Sequence, residues 1–421
     1  MDSVPASLTA PLTTAEIARV QRRTVGVLSV AQVLGGIAFG ATLSLGAVLA
    51  ADISGDETFS GLAAAAVTFG TALSAIPLAR LARRRGRRLS LATGMAIALV
   101  GVTLVVLAVG IRSFPLLLAA FLLVGGGQAA NLQSRFAAAD LATDASRGRD
   151  LSIVVWATTI GAVLGPNLTG PGEVAGEALG MPPLTGPYVF TIVGQVLAIA
   201  LYFAALRPDP LLLAQRVVSD ADANTESTPI AKPDQPRAAR YAIFAIAAAH
   251  GVMVAVMAMT PVHLLHQGAT LTIIGITLSL HIAGMYALSP VFGILADRLG
   301  RVPTILLGQV IVAAALVTAS FGQDSPIAVT VGLILLGLGW SATTVAGSAL
   351  LTEASSEGQR TRRQGLSDFT MSIVAATGAI LAGVILGWIG YGGLALLVGI
   401  AVVGVIALAP LGRVAAGTRA T

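Results

Sequence analysis

Two long apolar stretches of the chain are joined by the charged segment Gly293-Ile-Leu-Ala-Asp297-Arg298-Leu-Gly300-Arg301. A similar segment, Ala79-Arg80-Leu-Ala-Arg83-Arg84-Arg85-Gly86-Arg87, stands at the equivalent place in the first half of the chain. Both copies begin with a small residue, carry several charges and end in Gly-Arg. This recurrence predicts that the chain consists of two related halves.

The stretches around these segments are long enough to cross a membrane. A spanning helix needs roughly 20 mostly apolar residues to cross about 30 Å of hydrocarbon. Twelve stretches meet this requirement, near residues 25–51, 59–82, 89–110, 115–139, 150–171, 187–206, 239–262, 271–296, 302–322, 326–351, 367–388 and 391–412. We therefore predict an all-α membrane protein with twelve transmembrane helices in two six-helix halves.

The composition agrees with a protein that is surrounded mostly by lipid. Hydrophobic residues make up 55% of the chain and charged residues only 11%, whereas soluble proteins carry about 25% charged residues. The chain has no cysteine, which excludes disulfides, iron–sulfur clusters and thiolate metal sites. Its charges lie between apolar stretches, so no nucleic-acid partner is expected. No nucleophile–base set or nucleotide loop is visible, and an enzyme is therefore not expected.

Arginine residues predict the orientation in the membrane. The loops after the second, fourth, eighth and tenth spans are basic, whereas the opposite loops carry mainly Asp and Glu. The positive-inside rule then places both termini in the cytoplasm of a bacterial inner membrane. Residues 1–23 lack a cleavage site, and no signal peptide is expected. The polar stretch 207–238 predicts a cytoplasmic linker between a first half at 1–206 and a second half at 239–421. A monomer with membrane lipids as its surroundings is expected.

The charged segments resemble the loop signature of the major facilitator superfamily, G-x-x-x-D-R-x-G-R. The second copy is complete, whereas Ala79 replaces the glycine and Arg83 the aspartate in the first. The resemblance implies the major facilitator fold, a central cavity between the halves and a conformational latch at the cytoplasmic side. It assigns to the latch the residues Asp297, Arg298, Gly300 and Arg301, and it implies a different latch in the first half.

Polar residues in the fourth span form one candidate site. Gln128, Asn131 and Arg135 share a helix face, because residues at i, i+3 and i+7 lie above one another. In the implied fold this helix lines the central cavity, and Gln32 of the first span could meet the same face. Hydrogen bonding between helices is the alternative interpretation.

Histidine and methionine concentrate in one segment. All four histidines and four of the eight methionines lie between residues 250 and 285. Met253 and Met257 are four residues apart in the seventh span, as are His281 and Met285 in the eighth, and His250 shares the first of these faces. At about 1.5 Å per residue, both pairs lie near the membrane midplane. Soft, neutral thioether and imidazole donors suit Cu(I), so a copper site is predicted, with packing of methionines as the alternative.

The two motifs M-x-x-x-M and H-x-x-x-M resemble those of the CcoA-like copper importers of the same superfamily. The resemblance implies copper as the transported substrate, with no resident cofactor, bound by Met253, Met257, His281 and Met285. His263 and His266 lie at the outer mouth, as metal-capturing or merely hydrated residues. Two other functions stay open: a drug or metabolite antiporter, and an importer of a small organic molecule such as a vitamin. The latter would use a hydrogen-bonding wall formed by Gln32, Gln128, Asn131, Arg135 and Trp340.

Overall fold

The computed structural model describes residues 13–56, 59, 61–224 and 234–414. Its helices, in chain order, are α1 (Thr14–Ser54), α2 (Gly61–Arg85), α3 (Arg87–Gly110), α4 (Phe114–Ala137), α5 (Arg147–Asn167), α6 (Thr169–Ala178), α7 (Tyr188–Ala205), α8 (Pro210–Asn224), α9 (Pro236–His266), α10 (Leu271–Tyr286), α11 (Ser289–Leu299), α12 (Arg301–Phe321), α13 (Pro326–Glu353) and α14 (Glu357–Ala407). A short 3-10 helix, Ala409–Gly412, follows α14.

The predicted spans coincide with these helices. The eighth span consists of α10 followed by α11, and α14 contains the last two spans. Gly390 separates those two, because its φ of 70° lies in a region that glycine adopts without steric cost. Nine helices of the described residues are long and apolar enough to cross a membrane, with α14 counted once. The predicted all-α membrane fold is confirmed.

The chain packs as two groups of helices, α1–α7 and α9–α14. Contacts between the groups involve mainly α2 with α14 and α5 with α11. These contacts include residues beside the loops after α2, α4, α11 and α13, where the stretches 80–88, 147–149, 298–301 and 360–363 hold 13 of the 24 arginines. We call this end of the bundle the arginine-rich end; the positive-inside rule predicts that it faces the cytoplasm. The halves are therefore closed against each other there.

Glycine residues determine which helix α10 packs against. A Cβ atom on Gly337 of α13 would lie 2.5 Å from the carbonyl oxygen of His281, and one on Gly284 of α10 would lie 2.8 Å from that of Ile334. Because neither side chain is present, the two backbones approach closely. The main neighbour of α10 is therefore α13, and α9 touches it only over a short stretch.

The predicted linker contains more structure than expected. Helix α8 lies inside it and buries Leu211 and Leu213. The Asp209 carboxylate accepts hydrogen bonds from the backbone N–H groups of Leu211 and Leu212, at 3.1 and 3.2 Å, and from that of Arg88, at 2.8 Å. It thus caps α8 and fastens it to the start of α3. Helix α9 begins within the predicted linker, and residues 225–233 lie outside the described ranges. The division into the segments 1–206, 207–238 and 239–421 stays a prediction.

Candidate functional site

The predicted metal ligands lie in the second half of the chain. Met253 and Met285 belong to one buried apolar cluster, and Met257 packs against it. Trp340 of α13 belongs to the same cluster. The methionines therefore make the packing contacts that the alternative interpretation expected, and this packing neither requires nor excludes a metal.

His281 is fully buried, and its two ring nitrogens differ. Nδ1 lies 2.7 Å from the carbonyl oxygen of Leu333, which can only accept a hydrogen bond, so this nitrogen carries the proton. Nε2 then has a free lone pair, and no described residue donates a hydrogen bond to it. Histidine ligands of metals commonly have their other nitrogen held in this way. Within the described ranges no group of three or more His, Asp or Glu side chains could hold a metal, so any site here would depend on methionine sulfur.

His250 contacts Trp340 of α13. The Trp340 Nε1–H donates to His250 Nδ1 over 2.9 Å. The lone pair of that nitrogen is therefore occupied, and neutral His250 presents an N–H group at Nε2 rather than a metal-binding lone pair. Tyr286 of α10 completes this group, with its ring centre 5.7 Å from that of Trp340 in an edge-on arrangement.

Arg135 forms an ion pair across the two halves. Its guanidinium lies 2.6 Å from the carboxylate of Asp368 on α14, and both side chains are almost fully buried. The Arg135 Nε and the Asp368 Oδ2 have no hydrogen-bond partner among the described residues. The charge of Arg135 lies within electrostatic range of His250 and Tyr286 of the second half. Sequence reasoning missed Asp368, although a lone carboxylate inside an apolar span is itself a signal of function.

The other polar residues of the fourth-span stripe lie elsewhere. Gln32 donates to Thr158 Oγ1 over 3.0 Å and accepts from Ser134 Oγ over 2.9 Å, so it joins helices of the first half. Gln128 and Asn131 line a small cavity inside the first half, together with residues of α1, α2, α3 and α7. The residues Gln128, Asn131 and Arg135 therefore do not form one site, because of these three only Arg135 reaches the second half.

The Asp297 side chain reaches across the halves at the arginine-rich end. Its carboxylate accepts hydrogen bonds from the backbone N–H groups of Gly148 and Arg149, each over 2.8 Å, at the start of α5. Arg301 pairs with Asp297 and donates to the backbone oxygen of Asp144 over 2.8 Å. Gly300 has a φ of 102°, which turns the chain between α11 and α12. Arg298 is exposed. The latch function of these residues stays a prediction.

A different contact joins the halves at the corresponding place of the first half. Arg87 is fully buried and pairs with Asp140 over 2.8 Å. Its guanidinium also donates to Gln364 Oε1 of α14 over 2.6 Å. Desolvation raises the pKa of Asp140, and Arg87 opposes that rise. Sequence reasoning expected a different latch here but did not name these residues, because residues 87 and 364 share no local pattern.

The two remaining histidines lie near the other end of α9. His263 stacks on Tyr391 with 4.3 Å between ring centres, and its Nε2 lies 2.8 Å from the backbone oxygen of Gln323. His266 is exposed. The contacts of His263 hold α9 to the last span and to the loop after α12, which accounts for this residue structurally.

Comparison with known proteins agrees with this architecture. The family model described as Major Facilitator Superfamily matches residues 28–270 and 241–418. The uncharacterized MFS-type transporter YdeG of Bacillus subtilis is 35% identical over 386 residues, which are 90% of this chain and 89% of that protein. The riboflavin transporter RfnT of Brucella anthropi is 29% identical over 383 residues, which are 87% of this chain and 90% of that protein.

A solved structure shows the same fold at low sequence identity. The crystal structure of the human organic anion transporter MFSD10 (TETRAN) superimposes with a TM-score of 0.75 at 16% identity, covering 92% of this chain and 99% of that one. Proteins of this family are transporters rather than enzymes and generally need no cofactor. The family model and the relative YdeG together show that this chain belongs to the major facilitator superfamily.

Proposed function

We propose that the protein carries a small, planar organic solute across the membrane, and that the solute binds between the halves. The observation that carries this proposal is the cluster of Arg135, His250, Tyr286, Trp340 and Asp368, hereafter the central cluster, in which His250 and Tyr286 are partly buried and the other three are buried. Its members come from α4, α9, α10, α13 and α14, so both halves contribute. Opening and closing of the halves would therefore make and break the site, as alternating access requires.

The chemistry of the central cluster fits a ring that carries hydrogen-bonding groups. Trp340 and Tyr286 offer aromatic surface, on which a planar molecule can stack. Arg135 and Asp368 each retain a polar atom without a partner among the described residues. A few polar groups within a mainly apolar wall are typical of small-molecule sites. The relative RfnT, a riboflavin transporter, supports a substrate of this kind.

Copper import is the second candidate, and His281 is the observation that favours it. The Nε2 lone pair of this residue is buried, and Met253 and Met285 lie in the apolar core of the same half. Against it, α10 packs mainly on α13, and His250 already accepts a hydrogen bond from Trp340. The proteins compared above are not named for copper. The organic solute is therefore the better supported substrate.

Binding of riboflavin and of copper to the purified protein would separate the two candidates. We expect riboflavin, followed by its fluorescence, to bind wild-type protein and to bind Trp340→Leu and Tyr286→Leu at least about tenfold more weakly, a loss of about 1.4 kcal/mol. Trp388 is 80% exposed on α14, and Trp388→Leu is the matched control that should bind normally.

The copper arm uses Met257→Leu with Met285→Leu, a change that nearly keeps side-chain volume. We expect this double variant to bind riboflavin as the wild type does. The proposal would be overturned if riboflavin failed to bind the wild type while the protein bound one Cu(I) that the double variant lost. Size-exclusion profiles of all variants check that each one is folded.

A further inference from the structure

A crevice opens at the arginine-rich end between α9 and α14. It lies between two helix faces, which contribute Pro236, Ala239, Arg240 and Ile243 from α9 and Gln359, Arg362, Arg363 and Leu366 from α14. Each set has the spacing i, i+3, i+4, i+7, so each is one continuous stripe along its helix. The two stripes therefore face each other as the walls of one groove.

On both walls the arginines are followed by an apolar residue further into the bundle. Arg240 on one wall and Arg362 with Arg363 on the other lie in the first two turns of their helices, and Ile243 and Leu366 lie about one turn further along. One helical turn is about 5.4 Å. Leu366 is 44% exposed, so the apolar part of the groove opens outwards rather than into the protein core.

The charges of the groove do not balance. Arg363 pairs with Asp234, with 2.6 Å between guanidinium and carboxylate, and hydrogen bonding by Arg363 lowers the pKa of Asp234. Arg240 and Arg362 are both exposed, and neither has an ion-pair partner within the described ranges. Three guanidinium groups therefore stand against one carboxylate, and about two positive charges remain for an anion to neutralise.

We propose that this groove binds the headgroup and the first part of one acyl chain of an anionic phospholipid from the surrounding leaflet. The guanidinium groups would bind the phosphate, and Ile243 and Leu366 would contact the chain. A free phosphate ion would match only the charged part of the groove, whereas a phospholipid matches its charge and its apolar wall. Basic pockets between transmembrane helices on the cytoplasmic side bind anionic headgroups by the same combination.

Native mass spectrometry of the detergent-purified protein with added phosphatidylglycerol or phosphatidylcholine tests the proposal. We expect wild-type protein to prefer phosphatidylglycerol, and we expect Arg240→Gln with Arg362→Gln to weaken its binding about 30-fold, which corresponds to about 2 kcal/mol for two arginines. Arg84→Gln removes an exposed arginine of α2 outside the groove and is the matched control. It should leave phosphatidylglycerol binding unchanged.

Two further experiments distinguish binding of a whole phospholipid from binding of a phosphate group alone. Inorganic phosphate at constant ionic strength should not displace the lipid, and Leu366→Gln should weaken phosphatidylglycerol binding although every arginine remains. Equal losses in the Arg84 control and in the groove variant would overturn the proposal, since general attraction to basic loops would then explain the selectivity. Displacement by phosphate, or normal binding by Leu366→Gln, would reduce the groove to an anion site and also overturn it.

Discussion

The two contacts that close the arginine-rich end use different chemistry for the same geometry. At one, the Asp297 carboxylate caps the start of α5. At the other, Gln364 accepts a hydrogen bond from Arg87 and carries no charge of its own. The arginines of the two copies nevertheless behave alike: Arg87 pairs with Asp140 after the fourth span, and Arg301 pairs with Glu353 at the end of the tenth. Within each half, the arginine therefore makes the same kind of ion pair. The two contacts differ in the hydrogen bonds that join the halves.

The two contacts also differ in which helices carry the glycines that allow close approach. A Cβ atom on Gly293 of α11 would lie 2.5 Å from the backbone oxygen of Gly148, so glycine allows α11 to approach α5. In the first copy Ala79 occupies this place, and the glycine lies on the opposite helix as Gly365. The contact of α11 with α5 thus has a glycine on each helix, whereas the contact of α2 with α14 has its glycine on α14 alone. Gly365 therefore leaves room for the Ala79 side chain, which stands where the second copy has Gly293.

The largest expected effect concerns the buried ion pair of Arg135 with Asp368. Asp368 belongs to α14, the same helix that carries Gln364. Asp368→Asn leaves the Arg135 charge buried without its counter-charge, which costs about 3–5 kcal/mol in comparable pairs. We expect the arginine-rich end to open. The chain contains no cysteine, so spin labels at Arg84→Cys and Gly358→Cys report the distance between α2 and α14 without a competing thiol.

The double variant Arg135→Gln with Asp368→Asn is the control for this experiment. It removes both charges, and the two amides can still bond to each other, so it should open the protein less than Asp368→Asn alone. If Asp368→Asn left the label distance unchanged, the ion pair would not hold the halves together.

A smaller effect separates the two contacts themselves. Asp297→Asn removes a charge that accepts two backbone hydrogen bonds, whereas Gln364→Leu removes one neutral acceptor and leaves Arg87 paired with Asp140. Both contacts involve one charged partner, for which a hydrogen bond contributes about 1.5–3 kcal/mol; Asp297 accepts two such bonds across the halves, whereas Gln364 accepts one. We expect Asp297→Asn to raise the open population roughly tenfold more than Gln364→Leu in the same label experiment. Substrate affinity should stay nearly unchanged in both, and equal opening would show that the two contacts contribute alike.

The part of the fold that local pattern determines could be predicted from the sequence. Apolar runs gave the spans, and the repeated segment with Gly86 and Gly300 gave the two halves, because hydrophobicity and glycine conformation are local properties. Helix neighbours could not be derived in this way. The glycines that bring α10 against α13 are 53 residues apart, at 284 and 337, and the sequence around either glycine does not predict which helix it contacts.

The same limit applies to the candidate site. Arg135 was recognised as a costly charge inside a span, but its partner Asp368 lies 233 residues later. The Met and His spacing predicts side chains on shared helix faces, but it does not predict that Trp340 donates a hydrogen bond to the Nδ1 lone pair of His250. Copper binding by Met253, Met257, His281 and Met285 stays a prediction.

The smallest expected effect concerns the two ends of the linker. Asp209 holds one end to the first half, and Asp234 holds the other end to the second half. Asp209 accepts only from backbone N–H groups in the contacts described above, whereas Asp234 pairs with Arg363 at a partly exposed site. The pKa of Asp234 is lowered in the folded protein, chiefly by its hydrogen bond from Arg363. Its stabilising contribution is therefore complete above the ordinary aspartate pKa of about 3.9 and is lost as the pH falls through the lowered value.

We accordingly expect Asp234→Asn to reduce stability by no more than about 1 kcal/mol at pH 7, as for other exposed ion pairs. The difference from wild type should shrink as the pH is lowered below about 4, because protonated Asp234 no longer pairs with Arg363. Thermal unfolding followed by intrinsic fluorescence at a series of pH values measures both. A difference that stayed constant down to pH 3 would mean that the Asp234 charge contributes nothing and that only the shape of its side chain holds the linker to α14.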